Sequence, residues 1–189
     1  MKTIKKLILR PFIELFNLFK KLIIHFPDGT IGSKLRLVLW KLSLSKVGKN
    51  LIISSGAKYS YPNLIEINNN VILGNNVAIH AGDSKGIYIG NYVAIADGTY
   101  IRSGNHKFDN LNTKIMYQDH DCVEIDFNFK KFSVVIEDDV WIGARVILLS
   151  GAHIGEGSVI SAGSVVSNKI PPYSVAVGNP ARVVANRKM

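Results

Sequence analysis

The sequence contains a single cysteine, Cys122, among 189 residues. One cysteine cannot form a disulfide within one chain, and the sequence has no cysteine cluster that would hold a metal ion. Such cysteine usage fits a reducing compartment. We therefore expect a cytoplasmic protein that has neither a disulfide framework nor a bound metal.

Acidic residues are nearly absent from the first 50 positions, which hold 11 Lys and Arg but only Glu14 and Asp28. The remaining positions balance at 12 basic and 12 acidic side chains, so the net charge of +9 belongs to the N-terminal segment. A basic segment can bind nucleic acid, but this one contains no recognisable nucleic-acid-binding motif. We expect no nucleic-acid partner.

The N-terminal segment also lacks a long apolar run. Charged side chains interrupt it repeatedly, at Lys5, Lys6, Arg10, Glu14, Lys20 and Lys21. A transmembrane helix needs an apolar stretch of about 18 residues or more. A signal peptide would end in a small-residue cleavage site rather than in two lysines. The sequence predicts neither.

Helical spacing of apolar residues predicts an amphipathic helix over 3–26, with Ile4, Ile8, Phe12, Leu15, Phe19 and Leu22 on one side. A turn at 27–29 separates it from a second helix over about 33–45. We interpret residues 1–46 as a basic helical cap, because a stacked repeat fold exposes a strand edge at each end. Peripheral contact with an anionic membrane surface is a second hypothesis for the same helix.

After residue 46 the sequence repeats with a period of six. Near the C-terminus the aliphatic position recurs at Ile136, Ile142, Leu148, Ile154, Ile160 and Val166. Earlier sets are Val47, Ile53 and Tyr59; Ile67, Leu73 and Ile79; and Ile89, Ile95 and Ile101. This period suits a short strand followed by a tight corner. We predict an all-β fold, a parallel β-helix of about five coils with three hexads each.

The register of six breaks only between coils. The excess is two residues after Tyr59, four after Ile79 and 29 after Ile101. Three hexads per coil give the β-helix the shape of a triangular prism, and all three insertions are predicted to leave this prism at the same edge. They should lie side by side there, because coils stack at about 4.8 Å. The longest, a loop over about 103–134, begins with the polar residues 103–109, and loops on rigid scaffolds often carry binding and catalytic groups.

Several motifs in this repeat region resemble the hexapeptide-repeat acyltransferases, in particular the galactoside, maltose and capsular-polysaccharide O-acetyltransferases. They are Val140-Trp141-Ile142-Gly143-Ala144, Ile160-Ser161-Ala162-Gly163-Ser164-Val165-Val166, Ile170-Pro171-Pro172 and Gly178-Asn179-Pro180-Ala181-Arg182. The resemblance covers about 27–185. It implies a left-handed β-helix, with an acyltransferase domain over 47–185 followed by a tail at 186–189. It also implies a homotrimer with acetyl-CoA bound in grooves between subunits.

The resemblance also implies roles for individual residues. His106, just beyond the last hexad before the long loop, matches the general base, and Asp83 matches a group that binds the sugar acceptor. The donor would be bound by Trp141, Gly143, Ala144, Ala162, Ser167, Asn168, Lys169 and Arg182. Lys169 departs from the family pattern, because the usual Thr-Lys-Asp is here Ser167-Asn168-Lys169. A corner lysine exposed to solvent is the alternative for this residue.

A thioester is already an activated acyl donor, so the catalyst must align a hydroxyl group, remove its proton and stabilise the oxyanion. A histidine suits the proton transfer because its imidazole is largely neutral at neutral pH. The sequence has no Gly-x-Ser-x-Gly motif and no evident Cys-His pair for an acyl-enzyme. It therefore favours direct transfer, and the resemblance implies a sugar hydroxyl as the acceptor, in surface or capsular polysaccharide synthesis.

Several alternatives stay open at this point. His80, at the start of the second insertion, competes with His106 as the base. N-acetylation of an amino sugar differs only in the acceptor, and serine acetyltransferase shares the coils and the donor. A γ-type carbonic anhydrase would need a histidine pair at short spacing, whereas His106 and His120 are fourteen residues apart. A trimeric scaffold without activity is the remaining possibility.

Overall fold

Two helices precede the repeat region. The computed structural model describes residues 2–188, with side chains described at Pro11 and from Glu14 onward. Met1, Met189 and the side chains of Ile4, Ile8 and Phe12 lie outside the described residues. Helix α1 spans Lys2–His25 and α2 spans Thr30–Ser43, close to the predicted bounds. Within the described chain, neither helix has the apolar length needed to cross a bilayer.

The rest of the chain is a left-handed parallel β-helix of short strands. The first three coils contain β1 (Lys46–Val47), β2 (Ile52–Ile53), β3 (Lys58–Ser60), β4 (Ile65–Ile67), β5 (Ile72–Leu73), β6 (Ala78–His80), β7 (Ile87–Ile89), β8 (Ala94–Ile95) and β9 (Tyr100–Arg102). The long loop contains β10 (Asn105–His106), β11 (His120–Asp121), β12 (Ile125–Phe127) and β13 (Lys130–Phe132). The later coils contain β14 (Val134–Ile136), β15 (Trp141–Ile142), β16 (Ile147–Leu148), β17 (His153–Ile154), β18 (Val159–Ile160), β19 (Val165–Val166), β20 (Lys169–Ile170), β21 (Ser174–Val177) and β22 (Arg182–Asn186). Short 3₁₀ helices lie at Pro62–Leu64 and Ile115–Tyr117.

Three parallel sheets form the sides of the prism. Sheet A is ordered β1-β4-β7-β14-β17-β20, sheet B β2-β5-β8-β15-β18-β21-β22 and sheet C β3-β6-β9-β16-β19. The predicted hexad positions are directly paired: Ile89 lies opposite Ile136 in sheet A, and Ile95 opposite Ile142 in sheet B. These positions form one continuous buried core along the prism. The predicted register is confirmed throughout.

The coil count differs slightly from the prediction. Five coils are complete, as predicted, but β20 and β21 add two sides of a sixth. Strand β22 then pairs antiparallel with β21 and ends the stack. The sixth coil continues the hexad register through Ile170 and Ala176, which pair with Ile154 and Ile160. The pattern is weak there because two prolines follow Ile170 and the next hexad position is only an alanine.

Helix α2 covers the open end of the first coil. Its buried face carries Arg36 and Trp40, both with no exposed surface, and Trp40 packs edge-on against Tyr59 with ring centroids 4.8 Å apart. The Arg36 guanidinium donates to the carbonyl oxygens of Ile53, at 2.6 Å, and Phe26, and also to Asp28. Arg36 therefore joins the interhelical turn to the first coil.

The second half of the long loop is a hairpin that sequence reasoning did not predict. Strands β12 and β13 pair antiparallel, and Phe127 and Phe132 pack on Tyr88 of β7, with ring centroids 5.0 and 5.5 Å apart. Lys130 adds an ion pair to Glu66 at 2.6 Å. This half of the loop therefore packs against the outer face of sheet A.

Candidate active site

The three insertions leave the prism at the corner where sheet C passes to sheet A, as predicted. They connect β3 to β4, β6 to β7 and β9 to β14. The second and third are in close contact: a Cβ on Gly104 would lie 2.3 Å from the carbonyl oxygen of Gly82, so a larger residue would force them apart. The hydroxyl oxygens of Ser84 and Ser103 are 2.7 Å apart. These contacts fix the start of the long loop beside the second insertion.

The long loop brings two histidine rings into contact. Strands β10 and β11 pair antiparallel, with His106 directly opposite His120. The two ring centroids are 4.3 Å apart. Asp83 of the second insertion completes the group, because its Oδ2 lies 3.5 Å from Nε2 of His120. The structure thus assembles His106, His120 and Asp83 at one corner of the prism.

His106 lines a cavity of about 270 Å³ between the two arms of the loop, formed by residues 105–109 and 121–123. The arms are held together by the amide of Lys107, which donates to the carbonyl of Asp119 at 2.9 Å. The amide of Val123 donates to Oγ of Ser150 on the fourth coil at 2.8 Å. The cavity therefore has a fixed position relative to the coils, and the His106 side chain is exposed to it.

His80, the competing candidate base, has a different environment. Its Nδ1 lies 2.6 Å from Oγ of Ser60, and it lines a separate small cavity of about 120 Å³ together with Asp83 and Arg102. Burial lowers the pKa of the His80 imidazole, and the positive charges of Arg102 and Lys58 lower it further. The lowered pKa favours the neutral imidazole, but the His80 ring is engaged with Ser60, whereas the His106 side chain lines the larger cavity.

A second groove, of about 700 Å³, runs along the corner between sheets B and C. It is lined by Asn75, Asn76, Asp97, Gly98, Ala144, Arg145, Ala162 and Gly163. Its wall includes two of the predicted donor residues, Ala144 and Ala162. Gly143 supports this wall, because a Cβ there would lie 2.6 Å from the amide nitrogen of Ala162. Small residues keep successive coils close at this corner and leave space outside them.

The remaining predicted donor residues lie elsewhere on the chain. Trp141 is 56% exposed on the outer face of β15 in sheet B. Ser167 and Asn168 follow β19 at the corner that also carries the long loop, and Lys169 begins β20 rather than lying in a corner. Arg182 begins β22, where its guanidinium donates to the carbonyl oxygen of Ala181 at 2.9 Å. One chain therefore does not gather all the predicted donor residues in one groove.

His120 is the member of the cluster that sequence reasoning missed as a site residue. It lies in a two-residue strand within a segment without periodicity, so no pattern indicated that it would face His106. For a metal, the described residues 2–188 contain no three His, Cys, Asp or Glu side chains arranged to hold one.

Comparison with known sequences identifies the repeat as one that is found in a known family. The family model for the bacterial transferase hexapeptide (six repeats) matches residues 133–168. Galactoside O-acetyltransferase of Escherichia coli K12 is 32% identical over 146 residues, which are 77% of this chain and 66% of that protein. Rv3034c of Mycobacterium tuberculosis, named a probable acetyltransferase, is 40% identical over 103 residues. That match spans 54% of this chain but only 31% of Rv3034c.

Solved structures share the fold. The hexapeptide-repeat acetyltransferase VCA0836 of Vibrio cholerae matches with a TM-score of 0.68 and 23% identity, over 89% of this chain and 87% of that one. A maltose O-acetyltransferase of Clostridium difficile 630 gives 0.67 and 24%, over 88% and 81%. The N-acyltransferase AntD of Bacillus cereus, in complex with dTDP and 3-hydroxybutyryl-CoA, gives 0.60 and 24%, over 80% and 88%. At these identities the structural likeness establishes the fold.

Coils of hexads with insertions at one corner define a hexapeptide-repeat β-helix. Together with its sequence relatives, this fold assigns the chain to the hexapeptide-repeat acyltransferase family.

Proposed function

We propose that this protein transfers an acetyl group from acetyl-CoA directly to a hydroxyl group of a sugar, with His106 as the general base. The observation that carries the proposal is the position of His106 beside an open cavity and opposite His120, whose Nε2 lies 3.5 Å from Asp83. The galactoside relative and the maltose O-acetyltransferase likeness agree with this acceptor class. We further propose a role in surface or capsular polysaccharide synthesis.

In the proposed reaction, the sugar hydroxyl donates its proton to the His106 imidazole while its oxygen attacks the thioester carbon. The new C–O bond forms, the C–S bond breaks, and the proton passes from His106 to the sulfur of CoA as it leaves. No residue of the protein is acylated. Positioning of the two substrates contributes much of the rate, since a thioester needs little further activation.

For the donor, we propose that Gly143, Ala144 and Ala162 form the wall along which the pantetheine arm of acetyl-CoA lies. The rest of the cofactor is proposed to contact Trp141, Ser167, Asn168, Lys169 and Arg182. Lys169 and Arg182 would bind its phosphates, because phosphates pair with Lys and Arg side chains. The donor groove and the His106 cavity lie at corners on opposite edges of sheet C. A neighbouring subunit would therefore have to bring its donor groove to the His106 corner of this one. We therefore also propose a homotrimer, which light scattering on the purified protein would test.

The proposal is tested by incubating the purified protein with acetyl-CoA and a panel of hydroxyl and amino sugars, while released CoA thiol is measured. We expect turnover with a hydroxyl sugar and an ester product that mild alkali cleaves. An alkali-stable amide product would instead support N-acetylation of an amino sugar. This is the second candidate function, and the likeness to the N-acyltransferase AntD favours it. Acetyl-CoA binding without turnover on any acceptor would favour the scaffold.

His120 is proposed as a positioning residue that orients the His106 ring, with Asp83 holding His120 and reaching the acceptor. Replacing His120 with alanine is expected to lower kcat by about 10- to 100-fold, because a misplaced base aligns poorly with the hydroxyl. The KM for acetyl-CoA should stay unchanged. His120→Phe keeps a flat ring opposite His106 but loses the contact with Asp83, so its kcat separates the two contributions. Turnover of His120→Ala equal to the parent would remove this role.

The proposed donor groove gives a further prediction. Replacing Ala162, an exposed groove residue, with tryptophan should fill the groove and raise the Kd for CoA by about 10-fold or more, a loss of roughly 1.4 kcal/mol. The control is Lys49→Trp, which puts the same side chain on an exposed corner of the first coil. Calorimetric titration with CoA compares the two, and equal affinities would argue against this groove.

A further inference from the structure

Helix α2 has two apolar faces, of which the fold covers only one. The covered face packs on the first coil through Arg36, Leu39 and Trp40. The other face carries an apolar stripe, defined as Ile31, Leu35, Val38 and Leu42, at the spacing of four, three and four that aligns side chains along a helix. These side chains are 37% to 82% exposed. A cap would need only the first face.

Helix α1 adds to this exposed surface. Leu15, Leu18, Phe19 and Leu22 lie along one side of this helix, and Phe26 follows directly after it; these side chains are 43% to 65% exposed. The two helices are neighbours, joined by the four-residue turn between His25 and Thr30 and in contact with each other. Apolar side chains exposed singly are ordinary, whereas a contiguous group marks an interaction surface.

The charge on this helical pair restricts what the surface can bind. The first 50 residues hold 11 basic side chains against two acidic ones, and Asp28 is already bound to the buried Arg36. Lys34 and Lys41 are exposed and lie seven residues apart, directly before Leu35 and Leu42 of the stripe. The surface is therefore an apolar stripe bordered by positive charge.

We propose that the stripe and the adjoining face of α1 bind an anionic lipid bilayer, lying in its interface. Apolar side chains bordered by lysines match such an interface, where the stripe enters the acyl boundary and the lysines meet lipid phosphates. A second copy of the same surface would instead bring like charges together. The inference rests on α1 and α2 alone and does not depend on the proposed acetyl transfer. It would place the first coil toward the membrane, where saccharides carried on lipids are found.

The test uses the purified full-length protein with two kinds of vesicle, phosphatidylcholine alone and phosphatidylcholine mixed with phosphatidylglycerol. We expect cosedimentation with the mixed vesicles, weakened by added salt because the lysine contacts are screened. The variant Val38→Glu/Leu42→Glu should bind at least about 10-fold more weakly, through lost apolar burial and repulsion from the lipid charge. The matched control is Leu111→Glu, at a 96% exposed leucine of the long loop, which should bind like the parent.

Three results would overturn the proposal: equal binding to both vesicle types, no binding to either, or unchanged binding by the stripe variant. Light scattering on the same variant identifies the competing explanation. If the variant loses subunits while lipid binding stays the same, the stripe is a contact between copies of the chain. Acetyl transfer to a water-soluble sugar should be equal in parent and variant, so a failure of membrane binding is distinguishable from a failure of the proposed activity.

Discussion

Replacement of His106 by alanine is expected to lower kcat for acetyl transfer by about 10²- to 10⁴-fold, the usual contribution of a general base. The affinity for CoA should change little, because His106 is proposed to act on the acceptor hydroxyl and does not line the proposed donor groove. The His106 side chain is exposed, so its removal leaves no buried cavity and the fold should be retained. Steady-state kinetics with a saturating hydroxyl sugar, together with CoA titration, measure both quantities.

The matched control is His25→Ala, which removes an exposed histidine from the end of α1. This variant should retain the full rate. Equal rates in the His106 variant and the parent would show that another group removes the proton. His80 would then be the first residue to replace, since it lines the cavity next to Asp83. A large loss at His106 with no effect at His120 would support the base and remove only the positioning role of His120.

The sequence alone predicted the coils well, because every predicted hexad position is a buried or half-buried side chain at the same place on a strand. Val47, Ile67 and Ile89 pair in order along sheet A, and each is separated from the next by three hexads plus an insertion. When one position in every six is aliphatic, only one register of strand pairing between the coils buries all of these aliphatic side chains. The corner shared by the insertions followed directly from where that register breaks.

Features without a repeat could not be predicted in this way. The hairpin of β12 and β13 depends on Tyr88 of sheet A, about 40 residues earlier in the chain, and no local pattern encodes that contact. His120 faces His106 only because the loop turns back between them. The exposed apolar face of α2 could not be predicted either, because the apolar residues of a helix do not reveal which of them the rest of the fold covers.

Replacement of Arg36 by alanine is expected to lower the free energy of unfolding by about 2–4 kcal/mol, as for the loss of a large buried side chain and of hydrogen bonds from a charged donor. The guanidinium has no exposed surface. Its loss leaves the carbonyl oxygens of Ile53 and Phe26 without this donor and Asp28 without its ion pair, and it opens a cavity under α2. Lys34→Ala removes an exposed cation from the same helix and should change stability by less than about 0.5 kcal/mol.

Unfolding in urea, followed through Trp40 fluorescence in a Trp141→Phe background, reports on the cap, because Trp40 is buried beside Tyr59. Circular dichroism follows the coils in the same samples. A repeat protein gains its stability from contacts between neighbouring units, so the cap should detach first in the Arg36 variant. The Trp40 transition should therefore shift further than the circular dichroism transition. Coincident transitions with a midpoint like that of Lys34→Ala would mean that Arg36 does not hold the cap on the first coil.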